Sequence, residues 1–297
     1  MIVPNRERAL ESIVALQMAL DPVKSRRTSA YSSKSLIEQG TVAFIEGEAN
    51  VTGVAIRADG QFDLNVTRVP QSFASGIFIT TDFILTANHA ARKIESLHRS
   101  IDDKFAEKLE RDQNVPHEIL KYTVVDSKGN SYLVDPTLYL KDSAHDIALV
   151  RVVSQYSPRP RPFRVISKDL SVGQALSVVG AYPLGQPSPM EFGISRKFTR
   201  LRAVHGNTAV ENGEVIKDCF FADLVGGRGY SGGPFMTQFG EFAGILVGGN
   251  EQQQVIVGTE FRDIYTMLRS ASYYIAKEVI SGRHKNIYSN LHVPRRS

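Results

Sequence analysis

The hexapeptide Gly229-Tyr230-Ser231-Gly232-Gly233-Pro234 is the strongest local constraint in the chain. Glycine reaches backbone angles that other residues resist, and it lets a ligand or a second backbone approach closely. Here three glycines surround one serine, after an apolar run and before a strand-like one. A serine hydroxyl is a weak nucleophile until a base takes its proton and fixed donors receive the charge on the attacked carbonyl. The stretch is therefore either a glycine-rich hairpin turn or a mount for a nucleophile, with the amides of Gly229 and Ser231 as the fixed donors. The motif alone leaves both open.

Two upstream stretches bear on that choice. In Phe83-Ile84-Leu85-Thr86-Ala87-Asn88-His89 an apolar strand pattern runs into a histidine, which places an imidazole at a strand end. In Asp146-Ile147-Ala148-Leu149-Val150-Arg151-Val152 an aspartate precedes a run apolar and β-rich enough for a buried strand. Taken singly, His89 is an ordinary packed or solvated side chain and Asp146 an ordinary turn residue. What bears on the choice is their occurrence together, in chain order, ahead of Ser231.

The order His89, Asp146, Ser231, with Thr-Ala-x-His, Asp-Ile-Ala-Leu and Gly-x-Ser-Gly-Gly-Pro intact around them, resembles the chymotrypsin-like serine proteases. Ser75-Gly76-Ile77-Phe78-Ile79, Ser171 to Gly180 and Gly240 to Ile245 bring the likeness closer to the protease core of the Deg/HtrA family. It covers residues 40 to 262. The resemblance implies an all-β fold of two six-stranded antiparallel β-barrels, with no cofactor and no metal. It implies a serine endopeptidase in which His89 is the base, Asp146 its orienting partner and Ser231 the nucleophile. Gly229 and Ser231 would form the oxyanion hole.

The same resemblance places the substrate pocket. Val225, six residues before the nucleophile, falls at its base, with Gly226, Val247, Gly248 and Gly249 as walls. Such a pocket is apolar and small-walled, so cleavage after aliphatic or small aromatic residues is expected. Asp223 need not face it. Arg228 beside the oxyanion glycine would favour acidic groups on a substrate, or is simply exposed. Val247 stands where trypsin-like enzymes carry a serine bonded to the triad aspartate, so Asp146 needs other partners. Tyr230 stands where their zymogens carry an aspartate that pairs with a newly cut amino terminus. No cleavage is expected to be needed for activity. The Gly-Asn-Pro of the Deg/HtrA loop is replaced by Gly180-Ala181-Tyr182-Pro183, so loop control is expected to differ.

Charge and composition agree with this class. The 297 residues include 42% hydrophobic ones, enough for a sizeable core. A formal charge of +4 is small for the length, so no nucleic-acid partner is expected. The one cysteine, Cys219, excludes an internal disulfide framework. Arg6, Glu7, Arg8 and Glu11 interrupt any secretory apolar core, and no membrane span is evident. An intracellular, cytoplasmic setting is the simplest expectation, export by a non-standard route leaving no mark.

Along the chain, residues 1 to 35 are expected to hold an amphipathic helix over 5 to 20, ending at Asp21-Pro22, and a polar link from Lys24 to Lys34. Residues 36 to 156 form the first barrel. It carries a helical insertion over about 92 to 121, either a solvated surface helix or a homo-oligomer contact or cleft cover. Tyr122 to Asp126, a turn at Ser127-Lys128-Gly129-Asn130, and Tyr132 to Val134 read as a hairpin. Pro158, Pro160 and Pro162 mark a stiff crossing. The second barrel takes 157 to 262, with a strand over Leu176 to Val179 and a turn-rich loop over Tyr182 to Pro187. A carboxy-terminal helix and basic tail take 263 to 297, the helix recurring at Phe261, Ile264, Leu268, Ala271, Ile275 and Val279. No PDZ-like domain is expected after it. The protein or peptide substrate leaves a second function class open, a catalytically silent scaffold on a protease fold. A viral-type polyprotein-processing protease remains an alternative within the enzyme class.

Overall fold

The computed structural model describes residues 40–56, 62–79, 83–92, 122–126, 129–152, 169–183, 192–209, 215–225, 227, 229–250 and 252–270. The expected amino-terminal helix, the polar link, the insertion beyond residue 92, the proline-rich crossing and the basic tail lie outside them.

Twelve strands among the described residues close two antiparallel barrels of six. The first runs β1-β2-β3-β6-β5-β4, with β1 Thr41–Ile56, β2 Phe62–Phe78, β3 Phe83–Ala87, β4 Tyr122–Asp126, β5 Ser131–Asp142 and β6 Ile147–Val152. The second runs β10-β11-β12-β9-β8-β7, with β7 Ala175–Pro183, β8 Phe192–Ala209, β9 Val215–Asp223, β10 Pro234–Thr237, β11 Phe242–Asn250 and β12 Val255–Glu260. Closure pairs β1 with β4 and β10 with β7, which leaves neither barrel a free sheet edge.

Side chains on a strand alternate between faces, and in the second barrel that alternation divides the core in two. Val178, Leu246, Ile256, Phe220 and Phe235 point into the barrel. Their chain neighbours Val179, Ile245, Val247, Val257, Cys219 and Met236 join the cluster that also contains the first barrel's core. Strands buried on both faces need continuous apolar runs, and β10 and β12 are buried at every position. Inside the second barrel the Phe220 ring meets Phe235 edge-on at 4.9 Å. It also fills the space beside Gly258, where a Cβ would lie 2.2 Å from the ring. Cys219 is buried with Sγ donating to the Gly206 carbonyl at 3.0 Å, and burial pushes its thiol up to about 11. It is a packing residue.

The predicted hairpin is present as β4 and β5, with Gly129 at φ +83° in its turn. β5 continues well past Val134, to Asp142. Tyr182 and Pro183, expected in a loop, extend β7 because β8 offers Gly193 and Phe192 as partners. Helical residues 261–270 bury Phe261, Ile264, Met267 and Leu268 on one face, Phe261 meeting Phe242 edge-on at 5.8 Å. No described helix is long and apolar enough to cross a membrane.

The turn after β5 is tied to the second barrel and to this helix. The Lys217 amide donates to the Ala144 carbonyl at 2.8 Å, and the Thr259 hydroxyl donates to the carbonyl of His145. His145 Nδ1 bonds Asp142 at 2.7 Å, and Nε2 lies 3.9 Å from Asp263 of the helix. The bond to Asp142 raises the His145 pKa against the opposing effect of burial, with the charges of Asp142, Asp263 and Asp218 adding to it. Burial works to raise Asp142, but the bond and charge of His145 and the amides of Ala144 and His145 outweigh it and lower it. Burial raises Asp263 and Glu260, partly offset by His145 and Arg262 for the first and by His205 and Arg262 for the second.

The raised histidine stabilises the fold fully below its ordinary value of 6.5, and this is lost as pH rises through its higher folded value. The lowered Asp142 acts in the opposite sense, stabilising above 3.8 and failing as pH falls below it. The raised Asp263 and Glu260 cost stability once ionised. Thermal melts of wild type and His145→Asn should therefore differ most below the ordinary histidine value of 6.5, with wild type the more stable, and the difference should narrow as pH rises through the raised folded value. A Tm difference independent of pH would show that His145 does not carry this linkage.

Candidate active site

His89 follows β3 directly, in a helical turn over residues 88–92. Asp146 closes the turn that leads into β6, and β3 pairs with β6 from Phe83 opposite Arg151 to Ala87 opposite Ile147. That register brings the two residues together. Asp146 Oδ2 lies 2.6 Å from His89 Nδ1, and Oδ1 accepts the His89 amide at 2.8 Å. The Asn88 amide donates to the Asp146 carbonyl at 2.9 Å. Asp146 is buried while His89 is half-exposed, so the carboxylate is shielded and the imidazole is reachable. Asp146 holds φ +51°, a left-handed conformation that costs an aspartate less than most side chains. The three bonds fix it there. They also answer the absence of a serine at Val247, since both carboxylate oxygens are bound by His89.

Ser231 lies in the turn before β10. Gly229 at φ +95° and Gly232 at φ +85° make that turn. The Gly233 amide bonds the Tyr230 carbonyl at 2.9 Å, and the Gly232 amide bonds the Leu246 carbonyl at 2.6 Å. The Tyr230 amide reaches the Gly227 carbonyl at 3.3 Å. Among the described residues, the amides of Gly229 and Ser231 have no protein acceptor, and these are the two donors the sequence singles out. Gly232 is crowded as well as left-handed. A Cβ there would lie 2.1 Å from the Ser75 carbonyl oxygen and 2.2 Å from Thr86 Oγ1. The serine turn therefore packs against β2 and β3 of the first barrel, reaching Ala87, two residues before His89 in the chain. No hydrogen bond joins His89 to Ser231 among the described residues, and such contacts are often long before substrate binds.

The side chain that joins the two halves is Ser75, fully buried on β2. Its amide donates to the Ser231 carbonyl at 2.7 Å, and its carbonyl accepts Thr86 Oγ1 at 2.7 Å. Its hydroxyl donates to the Gly229 carbonyl at 2.6 Å and accepts the Ala181 amide at 2.8 Å. Sequence reasoning names Ser75 only as part of a matching stretch. A polar residue inside the apolar run Ala74 to Ile79 is the signal that marks it.

Of the predicted pocket residues, Val225 is half-buried and packs with Leu224 against the second barrel's interior cluster. The Val247 side chain is buried in the cluster shared between the barrels, so only its backbone is left for a wall. Gly248 and Gly249 continue β11 opposite Val257 and Ile256, the latter glycine exposed. Gly226 and Arg228 lie outside the described residues. Asp223 is committed to Arg202 on the surface, as a carboxylate turned away from a pocket would be. No cluster of three His, Cys, Asp or Glu able to hold a metal occurs among the described residues.

Removing the Ser75 hydroxyl strands two buried backbone groups, the Gly229 carbonyl and the Ala181 amide. Ser75→Ala should therefore cost about 1 to 3 kcal/mol in urea unfolding. A loss below about 0.5 kcal/mol would mean that those groups find other partners.

The sequence matches the trypsin-like peptidase domain family over residues 74–245, which contain His89, Asp146 and Ser231. No curated protein sequence matches the chain. Among solved structures, the chain is similar to the HtrA-type protease AlgW with decapeptide, at 13% identity and TM-score 0.54, over 86% of this chain and 68% of that one. It is also similar to the MamO protease domain from Magnetospirillum magneticum in its apo form, at 15% identity and TM-score 0.50, over 78% of this chain and 96% of that one. At these identities the likeness is one of fold, and the fold is the double barrel described above. With the family profile spanning more than half of its length, the chain belongs to the trypsin-like peptidase domain family.

Proposed function

We propose that the chain is a serine endopeptidase acting through His89, Asp146 and Ser231. The observation that carries this reading is the doubly bonded His89 and Asp146 pair, together with a turn in which the amides of Gly229 and of Ser231 itself are uncommitted. In the reaction, Ser231 Oγ attacks the scissile carbonyl carbon as its proton passes to His89 Nε2. The carbonyl oxygen takes the negative charge and is received by the amides of Gly229 and Ser231. As the carbon–nitrogen bond breaks, His89 gives the proton to the leaving amine, and an acyl ester remains on Ser231. Water, deprotonated by His89, then releases the acid and restores the hydroxyl. Asp146 holds Nδ1 protonated, so that Nε2 is the nitrogen free to accept.

Substrate choice follows from the pocket. By the family resemblance Val225 would put an aliphatic side chain at its base and the glycines of β11 would leave its wall low, while Asp223 is paired with Arg202. A buried cation on the substrate would have no counter-charge there, and desolvating it would cost more than an apolar contact returns. The preferred residue before the cut is aliphatic or a small aromatic.

Labelling with a fluorophosphonate serine-hydrolase probe tests the proposal. Wild type should label, and Ser231→Ala should not. Peptide turnover should fall by about 10⁴ to 10⁶ in Ser231→Ala and His89→Ala, with wild type cutting after Val, Leu or Phe in preference to Lys. Labelling that persists in Ser231→Ala would refute the site assignment. Folded wild type that never labels or cleaves would favour the silent scaffold.

A further inference from the structure

The residue just before Ser231 is turned inward. Tyr230 is buried, and its ring occupies the space beside Gly180 of β7, where a Cβ would come within 2.4 Å of ring carbon Cδ1. Its hydroxyl bonds the hydroxyl of Ser195 on β8. Gly180 and Ser195 are direct partners in the β7 and β8 register. A single rung of the sheet thus forms a seat for the tyrosine, with one residue lacking a side chain under the ring and the next offering a short hydroxyl to the phenol. A buried phenol needs such a partner, and an aromatic ring has few rotatable bonds to blur its position.

The seat also lies next to the other anchor of the turn. Ala181, adjacent to Gly180, donates its amide to Ser75 Oγ, which itself donates to the Gly229 carbonyl. A Cβ on Gly233 would lie 2.1 Å from the Val179 carbonyl. Three consecutive residues of β7, Val179 to Ala181, therefore bear on Gly233, Tyr230 and Gly229 in that order. The turn's shape is copied from a strand of the sheet.

We propose that Tyr230 is a positioning residue: with Ser195 and Gly180 it forms an internal strut that holds the Gly229 to Ser231 turn in its reactive shape without any cut amino terminus. The proposal rests on the serine peptidase reading above. The strut touches no reacting atom. It acts by keeping the Gly229 and Ser231 amides where the oxyanion develops.

The test uses the full chain with Tyr230→Phe, Ser195→Ala and their double variant. Hydrogen–deuterium exchange of the peptide covering residues 229 to 233 is measured beside the kinetics of fluorophosphonate labelling. Each single variant should exchange faster in that peptide alone and label about tenfold more slowly. The maximal labelling rate should fall while the half-saturating probe concentration holds. Because both substitutions break one bond, the double variant should be no slower than the slower single variant. Ser195→Thr, which keeps the hydroxyl, should restore the rate. Wild-type exchange and labelling in both single variants would overturn the strut, as would losses that multiply in the double variant. Should Tyr230→Phe fail to fold, Ser195→Ala and Ser195→Thr decide it. Should wild type never label, the peptidase reading fails, and the exchange of residues 229 to 233 still decides the strut.

Discussion

The bond from the Ser75 amide to the Ser231 carbonyl is the contact on which the candidate site depends. It crosses from a strand of the first barrel to a turn of the second. The imidazole and its aspartate are built entirely from β3, β6 and their connecting turns, while the serine belongs to the other barrel. Nothing local ties the two parts together. Ser75 does so with its amide and its hydroxyl, and Gly232 allows it by leaving no side chain between the turn and β3. Backbone hydrogen bonds are short and directional, so a seam made of them fixes position more tightly than apolar packing could.

The second constraint is the division of the second barrel's strands between two cores. Each of β7, β10, β11 and β12 buries one face inside its own barrel and the other in the cluster shared with the first. Position along these strands is therefore specified twice, since a slip of one residue would exchange the two sets of side chains. The turn at Gly229 to Gly233 is mounted on this doubly fixed frame, with Val179, Gly180 and Ala181 beneath it.

Much of this was legible in the sequence, for a physical reason. Ser231, His89 and Asp146 sit in short motifs whose neighbours dictate their local conformation, and the apolar runs behind them mark their strands. Residues whose role comes from distant partners were not legible. The hydroxyl of Ser75 bonds residues 106 and 154 positions away, and no local pattern encodes that. Tyr230 stood out as a departure from the trypsin pattern, yet its partner Ser195 lies 35 residues earlier. Tyr182 and Pro183 looked like loop residues because Pro, Gly and Gln follow closely, but pairing with β8 outweighed that local preference. Met267 shares the helix's buried face with Phe261, Ile264 and Leu268, a position outside the three- and four-residue steps of the apolar repeat from Phe261 to Val279.

The dependence of the serine turn on Ser75 also bears on how such a chain is made. Synthesis completes β1 to β6, and with them the His89 and Asp146 pair, before the second barrel exists. The opposite order holds for a fragment: a second barrel separated from the first keeps Ser231 but loses the amide that fixes its carbonyl and the hydroxyl that fixes Gly229. Neither half alone holds all three residues of the proposed triad. On the peptidase reading, the chemistry is thus tied to a chain in which both barrels are present and joined.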